Sequence, residues 1–403
     1  MIANCFSFKK LDSTSKIRFL IGVAVVFIFQ IWSTYKGDGM AKTHDSFQYL
    51  KTAENLVLQH DFIRTESQPY IEWALGFPFL LILFKDSIFL NLLCILGIYI
   101  FYFDLIEKLV QKNILKWWLI LAFISATPIY LIHHFVWSEA PFLLFLMAII
   151  WIFYYLINEE KNKNNYYKKI LLFCIFGFLF TSMRNAGLYF VIGIDSGIII
   201  FYLLPLFYKN KELKLSVVYQ SYYFKPLVYF SFSSILPIFL WWFHAKIKTK
   251  GNFDTIYNLA LRTVSEEFLN YGDILSRWLF PPSISLEIRI FLFLLFIVCM
   301  FFVEIQITAR FLKEKKWKID KNTKFILFIF WIISFYLVGM LLSRAGMKID
   351  AERFLAIIYP FLCILIGFVL DKMKINNFLK YGIAFLGLVY PFLRTVKNIV
   401  FWN

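Results

Sequence analysis

Eleven runs of mainly apolar residues punctuate this chain, near 17–35, 87–106, 116–134, 139–157, 169–185, 187–208, 226–244, 288–308, 324–342, 351–370 and 380–397. A helix needs roughly 20 such residues to cross a bilayer core, because only a helix satisfies all its backbone polar groups internally. Runs this frequent leave too little polar sequence to cover one soluble core. Hydrophobic types make up 60% of the 403 residues and charged types 17%, which points the same way. The sequence predicts an all-α polytopic integral membrane protein of about eleven transmembrane helices. No internal repeat and no Gly/Ser-rich linker divides it, so residues 1–403 read as a single domain.

The net charge of +16 does not signal nucleic acid, because the lysines fall in short connections between apolar runs. The basic stretches 107–116, 158–169, 209–225, 310–324 and 371–380, with the N-terminal Lys9, Lys10, Lys16 and Arg18, are predicted to face the cytoplasm. Residues 17–32 lack a small-residue cleavage pattern after them and read as an uncleaved first helix. The apolar stretch Trp73–Phe84 is too short to span, and counting it would break the charge bias. It reads as a helix lying at the membrane surface. Residues 36–86 then form a first extracytoplasmic loop with surface helices, and 245–287 a second. Five cysteines show neither paired nor metal-type spacing and read as packing residues.

The first loop contains "THDSFQYLKTAE" (43–54), a polar run beside a membrane span. On a helix Asp45, Tyr49 and Ala53 share a face with Glu54 beside them, and Thr43 or Asp45 could cap the start. An acid, an aromatic and a small residue would thus point together.

The same residues resemble the first extracytoplasmic loop of GT-C superfamily glycosyltransferases, among them protein O-mannosyltransferases and lipid A aminoarabinose transferases. Asp45, Tyr49, Ala53 and Gly76-Phe77-Pro78 match the pattern of an acid, a Tyr four residues on, a small residue four beyond, and a Gly-aromatic-Pro segment. "WSEAPFLLFLMA" (137–148), "TSMRNAGLYF" (181–190) and "ERFLAIIYPFL" (352–362) resemble later family segments in order. Several relatives carry two adjacent acids where this chain has His44-Asp45, which leaves the base open between Asp45 and Asp38. The resemblance implies an inverting transfer of sugar from a polyprenyl-phosphate donor to a glycan, lipid or protein acceptor. It places the site on the extracytoplasmic face of a bacterial cytoplasmic membrane.

Such a reaction needs a carboxylate to activate the acceptor and cations to stabilise the leaving phosphate. Asp45 is the expected base with His44 as helper. Tyr49, Glu54, Glu139, Arg184, Arg344, Lys348 and Arg353 are expected to bind substrate, each with the plainer alternative of an interface anchor. Arg353, a lone charge just inside an apolar segment, calls for a partner such as a phosphate or Glu352. Glu139 could meet the acceptor or a divalent cation. His133 and His134 are adjacent, a poor geometry for one metal, and read as interface hydrogen-bonding groups. No metal or other cofactor is assigned, although relatives differ in using divalent cations. Asp195, deep in an apolar run, keeps a transporter or lipid-glycan flippase as the alternative.

Overall fold

The computed structural model describes residues 8–36, 39–61, 70, 74–158, 163–206, 221–249, 263–295, 320–343, 351–373 and 376–401. Its helices are α1 (Ser13–Lys36), α2 (His44–Gln59), α3 (Gly76–Phe84), α4 (Ser87–Leu109), α5 (Asn113–Ile124), α6 (Thr127–His134), α7 (Glu139–Asn158), α8 (Lys163–Met183) and α9 (Gly187–Ile198). They continue as α10 (Phe224–Lys248), α11 (Val264–Arg277), α12 (286–295), α13 (Lys321–Ser343), α14 (Ala351–Ala356), α15 (Tyr359–Lys372) and α16 (Asn377–Phe401). The described residues contain no strand.

The fold is an all-α polytopic bundle, as the apolar runs require. Among the described residues seven stretches are long and apolar enough to cross a membrane: α4, α5 with α6, α7, 165–183 of α8, α9 with the π-helical turn after it, α10 and α13. The other expected spans fall on α1, α14 with α15, α16 and α12, whose run is described only to residue 295. Two expected spans are broken helices. The run 116–134 bends at Ser125–Ala126 before Pro128, and 351–370 bends before Pro360. A proline there lacks the N–H that would continue the previous helix, and it fits the first turn of the next.

Helix α7 is the axis of the core, with every residue but Leu144 and Asn158 buried. It packs against α4 and α8, α8 packs on α10, and α9 on α13. A span apolar all round, like α7, belongs inside a bundle rather than against lipid.

Polar ties gather at the ends. At the end bearing the basic connections, Glu107 of α4 takes Arg18 at 2.8 Å and Lys116 at 2.7 Å. There Asp371 accepts from the backbone N–H groups of Gln111 and Lys112 at 3.1 Å. The opposite end carries α2, α3, α11 and α14. Helix α3 has nine residues, about 13 Å of rise against a core of about 30 Å, so it cannot span. It packs on α2, α4 and α8.

Candidate active site

The first polar helix begins where the sequence suggests and for a local reason. Thr43 caps α2: its hydroxyl accepts from the Ser46 N–H, and the Ser46 hydroxyl accepts from the Thr43 N–H at 3.0 Å. Because Thr43 serves as the cap, the Asp45 carboxylate is left to make tertiary contacts. The Thr43 hydroxyl also accepts from Trp137 Nε1 at 2.8 Å. A backbone bridge pairs Ala41 with Phe135, through Ala41 N–H to His134 O at 3.1 Å and Val136 N–H to Ala41 O at 3.2 Å. The start of α2 is thereby tied to the turn ahead of α7.

That turn supplies three consecutive contacts. The Trp137 ring lies under the Arg353 guanidinium at 4.6 Å. The Ser138 hydroxyl lies 3.4 Å from the Tyr49 hydroxyl. Glu139, fully buried, forms ion pairs with Arg353 Nε at 2.7 Å and with Arg184. Arg353 in turn reaches Asp45 Oδ2 at 2.6 Å. A chain of alternating charges, Asp45, Arg353, Glu139, Arg184, thus links α2, α14, α7 and the turn between α8 and α9. Phe354 closes it, facing Arg353 at 5.0 Å and Arg184 at 4.9 Å. Stacking on aromatic faces suits a planar, weakly hydrated guanidinium in a dry site.

Asp45 is the part of this chain open to a reactant. Its side chain is 20% exposed, against 5% for Arg353 and none for Glu139. Among the described residues only Oδ2 is engaged, which leaves Oδ1 available to a proton donor. Burial pushes the Tyr49 hydroxyl well above its usual range, so Tyr49 stays protonated. Its ring packs edge-on against Phe77 at 4.9 Å and against Tyr70 at 6.4 Å. Gly76 is there because a Cβ would fall 2.7 Å from the Ser182 carbonyl oxygen, so only glycine lets α3 approach the end of α8 this closely.

Of the expected site residues, Asp45, Tyr49, Glu139, Arg184 and Arg353 converge. His44 is exposed, and Glu54 points outward to pair with Lys51 at 2.8 Å, so neither joins the cluster. Glu139 has no surface to offer a substrate and instead orients two arginines. Arg344, Lys348 and Asp38 lie outside the described residues. His133 is buried, and among the described residues neither ring nitrogen has a hydrogen-bond partner, contrary to the interface bonding expected of it. His134 stacks on Tyr130 at 4.9 Å. Among the described residues no three His, Cys, Asp or Glu side chains converge as a metal would need. Asp195 accepts from the Ser231 hydroxyl at 2.8 Å.

An apolar cavity of about 230 Å³ opens between α5, α11, α13, α15 and α16, lined by Trp118, Trp278, Phe330, Tyr359, Leu362 and Pro391 among others. Lining residues of α15 run from Tyr359 to Val369, about 15 Å along the helix axis. The Trp278 Nε1–H at its edge donates to Glu352 Oε1 at 3.2 Å. Glu352 adjoins Arg353 on α14, so cavity and charged cluster share one helix turn. The segment beginning at Trp137-Ser138 stood out in the sequence, but the contacts these two side chains make did not, and nothing in the sequence marked Trp278.

No protein-family model matches the chain, and no curated protein matches it by sequence. Among solved structures it is similar to ArnT from Cupriavidus metallidurans bound to undecaprenyl phosphate, with a TM-score of 0.56 at 12% identity. The chain has the GT-C fold. The match covers 94% of this chain and 63% of ArnT, so the chain spans less than two thirds of that relative's length.

Proposed function

We propose that the protein is an inverting glycosyltransferase that moves a sugar from a polyprenyl-phosphate donor to an acceptor on the extracytoplasmic face of a bacterial cytoplasmic membrane. The observation that carries this reading is a partly exposed carboxylate, Asp45, fixed by a buried arginine one helix turn from the mouth of an apolar cavity. The likeness to ArnT bound to undecaprenyl phosphate supports the lipid class.

In the proposed step Asp45 Oδ1 takes the proton of an acceptor hydroxyl or amine. The acceptor attacks the anomeric carbon, the bond from that carbon to the phosphate oxygen breaks, and polyprenyl phosphate leaves. One displacement inverts the anomeric centre. Arg353 holds the carboxylate at a set angle, which is how positioning lowers a barrier. The prenyl chain would lie in the cavity. An engineered cavity of about 150 Å³ already takes benzene, so the space here suits a hydrocarbon segment. Depth matters too, because the donor's phosphate stays at the membrane surface when its tail is immersed, and Asp45 belongs to the helix tied there. Glycan, lipid and protein all remain acceptor classes for this chemistry, and the step assigns no role to a divalent cation.

Purified protein incubated with a panel of radiolabelled polyprenyl-phosphate sugars and acceptors should release polyprenyl phosphate in step with label transfer. Absence of turnover across the panel, together with substrate flux in proteoliposomes, would favour the transporter instead.

A further inference from the structure

Two charged groups sit beside each other at this end of the bundle, and their balances differ. Around Asp45 the described charges cancel: Arg184 and Arg353 face Asp45 and Glu139. Beside them, among the described ion pairs, Arg277, Arg289 and Arg394 face Asp273 and Glu352, three cations to two carboxylates. A phosphate leaving water needs a cation that is not already neutralised, and of these two groups the second offers one among its described pairs.

That group also lies where a lipid headgroup would. Trp278, Leu279 and Pro391 line the apolar cavity. Arg394 lies three residues beyond Pro391 on α16 and so shares its face, while Arg277 directly precedes Trp278. The Glu352 carboxylate occupies the junction. One Arg394 terminal nitrogen lies 2.8 Å and 2.9 Å from its two oxygens, and Trp278 Nε1 donates to it at 3.2 Å. Donors remain unused. Arg394 NH1 makes only a 3.4 Å contact with the Arg277 carbonyl oxygen, and Arg277 Nε has no acceptor among the described residues.

We propose that Glu352 is an internal stand-in for the donor's phosphate: it is seated on Arg394 and Trp278 at the cavity mouth, and the lipid phosphate binds by displacing it. The proposal rests on the polyprenyl-phosphate reading above and assigns Arg394, with Arg277, as the phosphate contact. Arg353 then acts through Asp45 as a positioning residue. A phosphate in place of the Glu352 carboxylate has its chain in the cavity. The arginine that holds the base, Arg353, is the next residue on α14.

The test is direct binding of a polyprenyl phosphate to the full-length protein in nanodiscs, with the uncharged polyprenol of the same length as reference. Wild type should prefer the phosphate. Arg394→Gln should weaken phosphate binding by about tenfold or more, the effect of losing one charge-assisted contact, and Arg394→Lys should restore part of it. Glu352→Gln should strengthen binding, because the competing anion is gone. Opposite signs are the signature, since a merely structural ion pair would make both variants fail alike. Equal losses from Arg394→Gln and Glu352→Gln, or no change from Arg394→Gln, would overturn the assignment while leaving the transferase reading intact. A wild type that binds phosphate and polyprenol equally would overturn the donor class itself, and this proposal with it.

Discussion

Replacing Glu139 by Gln keeps the shape of the side chain and removes one charge from the centre of the site. Glu139 has no exposure, and it lies between Arg184 at 12% exposure and Arg353 at 5%. The substitution strands Arg184 without a carboxylate among the described residues, while Arg353 keeps Asp45 at 2.6 Å. Breaking a buried ion pair by removing one partner costs about 3–5 kcal/mol. The retained Asp45 contact argues for the lower end, about 3 kcal/mol, which is roughly a 150-fold shift in the folded ratio. If stranded charge causes the loss, removing the stranded cation should relieve it. The double variant Glu139→Gln/Arg184→Gln should therefore be more stable than the sum of the single losses predicts, by at least about 1 kcal/mol. Chemical denaturation in mild detergent, followed by tryptophan fluorescence, gives the four corners of the cycle. A Glu139→Gln loss below about 1 kcal/mol, or strictly additive single losses, would refute the account of this cluster as a charge-balanced frame.

Other expectations follow from separate features. Ser334→Phe places a ring in the apolar cavity that Ser334 lines, and should raise the KM for a polyprenyl-linked donor several-fold with little change in kcat, as loss of uniform binding requires. Asp195→Asn can still accept the Ser231 hydroxyl and should leave sugar transfer within about twofold of wild type, whereas a transporter built around this acid would lose flux. In a cysteine-free background, Lys51→Cys, exposed on α2, should react with an impermeant thiol reagent in spheroplasts, while protection there would invert the proposed topology.

The bundle was legible because a bilayer imposes a length on every span, and runs such as 139–157 and 324–342 are written in residue type alone. The breaks inside 116–134 and 351–370 were less so, although Pro128 and Pro360 carry the signal. Helical period put Asp45 and Tyr49 on one face and the resemblance to GT-C first loops singled them out, while Arg353 stood out because a lone charge in an apolar run needs a partner. Glu54 follows Ala53 by 100° of helix rotation, which is enough to carry it from the packed face to water and Lys51. Glu139 could not be read as a frame residue, because its role depends on arginines 45 and 214 residues away in sequence. Arg394 was within reach by the rule that exposed Arg353, since it too is a charge inside an apolar run. Trp278 and Glu352 meet only through tertiary packing, and no local pattern marks such a contact.

The central claim is that Asp45 activates the acceptor, and the most direct measurement is single-turnover sugar transfer by Asp45→Asn with a polyprenyl-phosphate donor bound. Asparagine keeps the shape and a hydrogen-bond acceptor for Arg353 but loses the charge and basicity, so the protein should fold and bind donor. Transfer should fall by about 10²–10⁴, the contribution typical of one general base. Wild-type transfer by Asp45→Asn, with donor binding intact, would contradict the account.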